Sequence, residues 1–373
     1  MDVVCCQCRR TGRRHSMNLN RRSVMGGASA LALASTSSPA LSQNKHAASA
    51  PVLVAAAADS TGFEAALRAK FATGDVLNWT GGTVRLRRPI HIDVTQSMVG
   101  AGVDLNGAKV IADFNDPTQR AITIRIPPAF KNVSVRGLKV FNGTFLADSP
   151  ALDALGVLCL ANHSWIYSWK IMNLDIEQFS RDGLFFAGNV FEGELHAVTC
   201  ASNGRNGITF RHEGIKDDSG LVSAISIFGG QMRKNGNAGI ETQSAIAYRE
   251  PRDLNIRQTY FVENKGPGLN AVAGFSRAEG CGFINNGGCG INMMNHGRLT
   301  DCQGSTHGPQ PYLVKAFLNN GEMVIDGCRT EGFSGFEGKT RLGKISGRGT
   351  VTLRDSGQLS DLEISGDITV KGV

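Results

Sequence analysis

The sequence predicts an all-β protein built as a right-handed parallel β-helix, preceded by an export signal and closed at its N-terminal end by a short helix. Two observations support this fold class. Short β-type runs alternate with Gly and Asn, and a glycine that opens such a run returns after 24, 32, 29 and 22 residues between Gly183 and Gly290. A fixed residue at a spacing of this kind indicates stacked repeats.

The composition agrees with many short strands and excludes some partners. The chain has 373 residues with 46 Gly, and aromatic residues make up 7%. The formal net charge is +7, but residues 1–50 hold seven basic groups and one acid, so the remainder carries 7 − 6 = +1. A nucleic-acid partner requires a basic body that displaces counterions. A nearly neutral body therefore argues against a nucleic-acid partner.

The first 42 residues are typical of a twin-arginine export signal. Residues 20–25 read Asn-Arg-Arg-Ser-Val-Met, and a mildly apolar run follows over residues 26–34. That run is too short for a membrane span, which needs about 20 apolar residues. Ala40-Leu41-Ser42 offers a small-residue cleavage site. We expect a periplasmic or secreted protein that meets the export machinery through this leader and has no membrane span.

After the leader, residues 43–60 are rich in Ala and Ser and are interpreted as a linker, and residues 61–373 as a single β-helix domain. Thr61 and Glu64 have the spacing of a capping box at a helix N-terminus. A short amphipathic helix at this place covers the open end of a solenoid, where strand edges are unpaired. Its apolar face consists of Phe63, Ala66, Leu67 and Phe71.

Other residues also recur at equivalent positions of successive coils, in columns along the helix axis, and support the same register. Residues 83–86, 90–92, 121–126 and 133–135 are expected to form early strands. Four residues before a repeated glycine stands an asparagine, which predicts an inward ladder of hydrogen-bonded amides. The glycines are Gly183, Gly207, Gly239, Gly268 and Gly290; the asparagines are Asn203, Asn235, Asn264 and Asn286, after Phe179; an apolar column is Ile176, Cys200, Met232, Phe261 and Phe283.

The cysteines divide into two groups. Cys5, Cys6 and Cys8 lie in the leader, without the partner pair that a zinc site needs. Of the six others, three repeat in similar contexts on neighbouring coils. We interpret these three first as small buried apolar residues and second as a possible disulfide, because an exported protein meets oxidising conditions. They are Cys281, Cys302 and Cys328.

The Asn-x-x-x-Gly-Ile/Leu repeat, the capping helix and the Gly-Gly-Thr-Val-Arg-Leu strand at 81–86 resemble the pectin-lyase-like superfamily over roughly residues 60–335. Together with the leader, they also resemble a little-characterised group of twin-arginine-exported β-helix proteins. The superfamily includes pectate and alginate lyases, polygalacturonases, uronan epimerases, phage tailspikes and proteins without known catalysis. The resemblance therefore implies a fold and a tendency towards acidic polysaccharides, but no single activity.

Long loops indicate where a site lies. Compared with the shortest coil, three consecutive coils carry extra residues after the glycine strand, at 162–169, 212–220 and 247–253. Loops on a rigid scaffold commonly carry function. On the strand before these loops, the residues two and four positions after each glycine should point outward. These columns are Phe185, Thr209, Glu241, Asn270 and Asn292, and Ala187, Arg211, Gln243, Val272 and Met294.

This corner suits a sugar polymer, because aromatic rings pack on pyranose faces and Arg pairs with carboxylates. The predicted catalytic residues are Arg211, His212, Glu241 and Tyr248, with His212 at the edge of the face. The predicted substrate-binding residues are Trp165, Trp169, Thr209, Gln243, Arg249 and Asn270.

Three functions stay open. The first is a uronan lyase, in which Arg211 and Gln243 neutralise the carboxylate and His212 or Tyr248 removes a proton. The second is an inverting glycoside hydrolase that uses Glu241 with Asp217 or Asp218. The third is a non-catalytic carbohydrate-binding or envelope protein. The same acidic residues offer hard oxygen ligands for Ca²⁺; no other cofactor is expected. The superfamily's catalytic signatures are mostly missing, which is the support for the third function; the uronan lyase is the function that we expect.

The leader leads to a direct test of export. Replacing Arg21 and Arg22 together by Lys should leave the protein in the cytoplasm, because the paired guanidinium groups are the feature that this pathway reads. Cell fractionation followed by immunoblotting measures the distribution. Continued export of the double variant would refute the twin-arginine interpretation.

Overall fold

The computed structural model describes residues 60–215, 220–244, 252–271, 275–305, 311–330, 340–355 and 361–372. The predicted leader and all but the last residue of the predicted linker lie outside these residues, so both stay predictions. One α-helix is followed by parallel strands that wind through three sheets, here named A, B and C. The predicted all-β parallel β-helix is confirmed. No helix among the described residues is long and apolar enough to cross a membrane.

Sheet A holds the strands that open with the repeated glycines, each paired in parallel with the corresponding strand of the next coil. Its strands are β3 (Ile90–Asp93), β7 (Ile122–Ile126), β10 (Asp153–Cys159), β13 (Asp182–Gly188), β15 (Ile208–His212), β18 (Ile240–Ser244), β21 (Leu269–Ala271), β24 (Ile291–Met294) and the first parts of β27 (Tyr312–Asp326), β28 (Arg341–Arg354) and β29 (Leu362–Gly372).

Sheet B follows sheet A along the chain, across the corner where the long loops were predicted. Its strands are β1 (Val76–Asn78), β4 (Met98–Val99), β5 (Gly102–Asp104), β8 (Ser134–Arg136), β11 (Trp165–Tyr167), β16 (Val222–Phe228), β19 (Arg252–Arg257), β22 (Phe275–Glu279), β25 (His296–Thr300), the first parts of β9 (Lys139–Ala147), β12 (Lys170–Glu177) and β14 (Val190–Ala201), and the later parts of β27, β28 and β29.

Sheet C closes each coil and leads through the asparagine turn back to sheet A. Its strands are β2 (Val84–Leu86), β6 (Lys109–Ala112), β17 (Gln231–Arg233), β20 (Tyr260–Val262), β23 (Gly282–Ile284), β26 (Gln303–Ser305) and the second parts of β9, β12 and β14. The strands predicted at 83–86, 90–92, 121–126 and 133–135 are confirmed to within one residue at each end.

The predicted capping helix is α1 (Ser60–Thr73), and its buried face consists of Phe63, Leu67 and Phe71, with Ala66 partly buried beside them. Phe63 packs edge-to-face on Trp79, with 5.1 Å between ring centroids. The predicted capping box is wrong in detail. The helix begins at Ser60, which places Thr61 inside the first turn. Glu64 instead accepts hydrogen bonds from the guanidinium groups of Arg68 and Arg88.

The predicted asparagine ladder is confirmed. The side-chain amide of Asn203 donates to Asn235 Oδ1 over 3.1 Å, and the next two links, to Asn264 and Asn286, measure 2.9 Å each. Each Oδ1 also accepts the backbone N–H of the previous rung, beginning with Phe179. All four asparagines are buried. The ladder therefore satisfies polar groups that burial would otherwise leave without partners.

The ladder also explains the strained turn in front of it. The residues that precede the asparagines are in the left-handed region although none of them is glycine, with φ between 50° and 55°. Such a conformation costs roughly 1–3 kcal/mol and persists only where the surroundings determine it. The residues are Ser202, Lys234, Glu263 and Asn285. The amide hydrogen bonds of the next residue offset this cost in each coil.

The repeated glycines are required by close approach. A Cβ on Gly207 would lie 2.6 Å from the carbonyl oxygen of Gly239, and one on Gly239 would lie 2.6 Å from that of Gly268. The neighbouring coil therefore occupies the place of a side chain. This contact, which the sequence shows only as a spacing, fixes where each coil starts its sheet A strand.

The apolar and cysteine columns are confirmed as packing elements. Ile176, Cys200, Met232, Phe261 and Phe283 follow one another in register, and all are buried. The three repeated cysteines are buried and form no disulfide within the described residues, and their thiols lie against backbone carbonyl oxygens. The structure thus gives these cysteines the packing role that was the first interpretation.

A substitution in the ladder tests the register. Asn235→Leu removes the acceptor of Asn203 and the donor to Asn264, and leaves buried polar groups unpaired. Each such group costs about 1–3 kcal/mol, so we expect the free energy of unfolding to fall by a few kcal/mol. Chemical denaturation measures it. Asn319→Leu, an exposed position on β27, is the matched control and should change little. Equal stability of both variants would show that the ladder is not structural.

Candidate functional site on the outer face of sheet A

The predicted outer-face residues meet in adjacent coils. Thr209 is in register with Glu241 and Glu241 with Asn270, while Arg211 is in register with Gln243. Neighbouring coils are about 4.8 Å apart. The side chains therefore form two short columns that run along the helix axis.

Glu241 is the centre of a hydrogen-bond network. Its Oε2 accepts from the amides of Asn206 (2.5 Å) and Gln243 (2.9 Å), and its Oε1 accepts from Asn270 over 3.2 Å. Asn292 in turn donates to Asn270 over 2.8 Å. A carboxylate has about four lone-pair sites. Three amide donors therefore hold Glu241 in one orientation and leave part of its acceptor capacity for a ligand.

The orientation of Asn206 is determined by its other partners. Its Oδ1 accepts from the backbone N–H of Ala238 (3.0 Å) and from the side chain of Asn237 (2.9 Å), so its NH₂ group must face Glu241. The backbone N–H of Asn206 donates to Asp182, which also binds the guanidinium of Arg205. The network at Glu241 is thus anchored in the coils on both sides.

Two buried carboxylates lie next to this network. Asp153 and Asp182 are both fully buried in adjacent coils, and Asp153 Oδ1 accepts the backbone N–H of Asp182 over 3.0 Å. Arg120 Nε donates to Asp153 Oδ2 over 2.7 Å. Burial, and secondarily the charge of Asp182, raises the pKa of Asp153 to about 6. Their burial and arginine partners give these residues a structural role beneath the outer face.

Several predicted outer-face residues are covered. Phe185 and Ala187 form a small apolar cluster with Leu158, and the guanidinium of Arg120 lies 4.4 Å from the centre of the Phe185 ring. Thr209 is buried too, and its hydroxyl accepts from Asn206 over 3.0 Å. The exposure expected from alternation is therefore wrong for Phe185, Ala187 and Thr209, which are buried.

The predicted catalytic residues differ in accessibility. His212 is 1% exposed and follows the inward-facing Ile208 and Phe210 on β15, so its ring is closed to a polymer on the outer face. Arg211 is partly exposed and pairs with Glu213 over 2.9 Å. A ligand carboxylate would have to compete with Glu213 for this guanidinium.

The two predicted tryptophans lie in different environments, and neither belongs to a long loop. Trp165 opens β11 on sheet B and is 38% exposed. Trp169 is fully buried and stacks on Phe186 with 4.6 Å between centroids. Its predicted sugar contact is wrong, because the ring belongs to the core. Gly193 makes room for it, since a Cβ there would lie 1.9 Å from the indole ring.

Other predicted residues fall outside the described part of the chain. They are Tyr248, Arg249, Asp217, Asp218 and Val272. The predicted loops at 212–220 and 247–253 are described only in part. Among the described residues, no group of three or more His, Cys, Asp or Glu side chains is arranged to hold a metal ion. A Ca²⁺ site at Asp217 and Asp218 therefore stays a prediction.

Two of the cavities formed by the described residues lie away from this face. One, of about 280 Å³, lies between α1 and the first coil and includes Arg68, Phe71 and Asp93. The other, of about 220 Å³, lies on sheet B and includes Asn255, Phe275 and Arg277. The described residues of the sheet A face form a polar surface strip, and the cavity of about 220 Å³ belongs to the neighbouring sheet.

The residues that anchor the network were present in the sequence but not recognised. Asp182 and Asn206 immediately precede repeated glycines, and Arg205 precedes Asn206. In the other coils the residue before the glycine is Ala, Pro or Cys. The polar residue before the glycine in these two coils, where the other coils have Ala, Pro or Cys, is the sequence feature that indicates Asp182 and Asn206.

Comparisons with known proteins support the fold. No protein-family model matches the chain, and a search of curated sequences found no match. A solved structure titled Geobacillus virus E2 ORF18 superposes with a TM-score of 0.53 at 12% identity over 80% of this chain and 54% of that one. The chain therefore spans about half the length of that protein.

Two further solved structures superpose less closely. The A-module of mannuronan C-5 epimerase AlgE4 from Azotobacter vinelandii has a TM-score of 0.44 at 14% identity, covering 83% of this chain and 92% of that one. The surface adhesin PfbA of Streptococcus pneumoniae has a TM-score of 0.48 at 8% identity, covering 83% and 87%. At such identities, structural likeness concerns the fold alone.

The buried Asp153 predicts a pH dependence of stability. Because its folded-state pKa of about 6 is higher than the usual value of 3.8, its contribution to stability is fully present below pH 3.8 and is lost as the pH rises through 6. Between pH 7 and pH 5, the unfolding free energy of the wild type should rise by about 1 kcal/mol relative to Asp153→Asn. Denaturation curves of both proteins at both pH values measure this difference. If the difference in unfolding free energy between the wild type and Asp153→Asn were the same at pH 7 and pH 5, the raised pKa of Asp153 would be contradicted.

Proposed function

We propose that the protein is an exported, periplasmic or secreted, carbohydrate-active protein that binds an acidic polysaccharide along sheet A and acts on it as a uronan lyase. The observation that carries the binding is the Glu241 network. It joins a fixed carboxylate to the half-buried amides of Gln243, Asn270 and Asn292 in successive coils.

The chemistry of the strip matches a sugar polymer. A chain of sugars presents hydroxyl groups at regular intervals, and oriented amides and carboxylates are donors and acceptors for them. Arg211, partly exposed beside this strip, offers a bidentate guanidinium for a uronate carboxylate. The periodic placement of these groups along the helix axis favours an extended ligand over a small molecule.

The geometry favours a lyase over an inverting hydrolase. A hydrolase that used Glu241 as its acid would need this carboxyl group protonated, yet amide N–H donors are directed at both of its oxygen atoms. Hydrogen bonds to a carboxylate favour its function as an acceptor. Glu241 is therefore assigned to binding sugar hydroxyls.

A non-catalytic carbohydrate-binding protein is the second candidate. Its support is the burial of His212, which removes one of the two predicted bases from the outer face, while Tyr248 lies outside the described residues. Binding without cleavage of every uronan offered would favour this candidate.

Substitution of Arg211 tests the binding surface. A charge-assisted contact contributes about 1.5–3 kcal/mol, so Arg211→Ala should weaken uronan binding by about ten- to a hundredfold. Added salt should weaken wild-type binding, because half-exposed ion pairs are screened. Isothermal titration calorimetry measures both.

The matched control for this test is Arg348→Ala, since Arg348 also pairs with a carboxylate, Asp367, on an exposed surface. It should bind like the wild type. Unchanged affinity of Arg211→Ala for the uronan would show that the ligand does not bind on sheet A.

A further inference from the structure

A second set of reactive groups lies on the outer face of sheet B. Glu194 and His196 are alternate residues of β14 and so share one face, and Lys170 of the preceding coil is in register with Glu194. All three side chains are partly exposed. None of them belongs to the network at Glu241.

The three side chains are joined at one carboxylate oxygen. Glu194 Oε2 contacts His196 Nε2 over 3.0 Å and Lys170 Nζ over 2.9 Å. The hydrogen bond from His196, and secondarily that from Lys170, lowers the pKa of Glu194. An ionised Glu194 is an acceptor only, so the neutral imidazole must carry its proton on Nε2. The lone pair is then on Nδ1.

The ring of His196 is held in place by packing. It stacks on Phe228 of the next coil, with 4.7 Å between centroids and an interplanar angle of 20°. Its register neighbour on the other side is Met172, which is uncharged. The side chain is 32% exposed. An imidazole that is fixed by packing, hydrogen-bonded to a carboxylate and partly open to solvent has the geometry of a general base.

The same face offers a cation for an acidic ligand. The column that contains Glu194 continues through Ser226 and Asn255 to Arg277, three coils further and about 14 Å away. Arg277 is exposed and lies over the ring of Phe275, and no ion pair is found for it within the described residues. It borders the cavity of about 220 Å³, together with Asn255.

We propose that sheet B carries a second, catalytic polysaccharide site, in which His196 is the general base and Arg277 binds the carboxylate of a sugar several units away along the same uronan chain. The substrate class rests on the proposed function, but the site is separate from the strip on sheet A. The distance between the base and the cation selects oligomers over single sugars.

The step that His196 performs is a β-elimination. Nδ1 takes the proton on the carbon next to the uronate carboxylate, and the electrons of that C–H bond form the carbon–carbon double bond. The adjacent glycosidic C–O bond breaks, and its electron pair leaves with the oxygen, which takes a proton from water. The imidazolium returns its proton to solvent. No oxidant or reductant takes part.

The test compares three variants on oligomers of mannuronate, guluronate and galacturonate, by the ultraviolet absorbance of the unsaturated ends and by calorimetry. His196→Ala should lower kcat by about a hundredfold or more with little change in KM. Glu194→Gln should lower kcat less, since it removes only the orientation of the ring. Arg277→Ala should raise KM for long oligomers and leave short ones unaffected.

His296→Ala is the matched control, because His296 is exposed on the same sheet and instead accepts a backbone N–H from Glu322. It should cleave like the wild type. Wild-type rates in His196→Ala, or equal losses in both histidine variants, would overturn the proposal and leave the proposed function standing. A wild type that binds uronans without forming unsaturated ends would overturn both this proposal and the lyase part of the proposed function, and would leave only the binding along sheet A. A wild type that binds no uronan would overturn the proposed function as well.

Discussion

The structure depends on one requirement: each coil must make its turn at the same position along the coil and in the same conformation. Parallel strands about 4.8 Å apart bring identical positions of successive coils into contact, so that a polar group at a turn meets its own equivalent. Asn235 satisfies this requirement in both directions, accepting from Asn203 and donating to Asn264. The strained residues before the ladder and the crowded glycines after it are tolerated because the amides fix the turn between them.

Once the turns are fixed, the same stacking brings side chains of different coils together on the outer faces. On sheet A it unites Asn206, Glu241 and Asn270 into one network, and on sheet B it places Lys170 against Glu194. Neither group is local in sequence, since its members are about one coil apart. The scaffold therefore sets the geometry of both surfaces without any contribution from secondary structure other than strands and turns.

The sequence predicted the inward columns better than the outer faces. A glycine, an asparagine and an apolar residue each recur because the interior accepts little else, so the register of Gly207, Asn235 and Phe261 was visible. Alternation then gave the correct face for Glu241 and Gln243. It could not show that Thr209 is buried, because its partners Arg205 and Asn206 are held in place by Asp182 of the preceding coil. Trp169 was assigned to a loop because nothing local reveals the space that Gly193 leaves.

The histidines show the same limit. His212 stands out in sequence through its charged neighbours, but an odd number of positions after the glycine turns it inward. His196 cannot be recognised in the same way, because one of its partners is an alternate residue on the same strand and the lysine beside that residue lies one coil away. Its significance depends on the contact with Glu194 and the stack on Phe228, which only the three-dimensional arrangement shows.

We propose above all that the protein recognises an acidic polysaccharide by its carboxylates. The most direct measurement compares binding of the wild type to a uronan and to the same polymer after chemical reduction of its carboxyl groups to neutral alcohols, with length and linkage unchanged. We expect the uronan to bind with an affinity that weakens with salt and that falls by about tenfold or more on reduction, since one charge-assisted contact contributes at least about 1.5 kcal/mol. Equal affinity for both polymers, or affinity for neither, would contradict it.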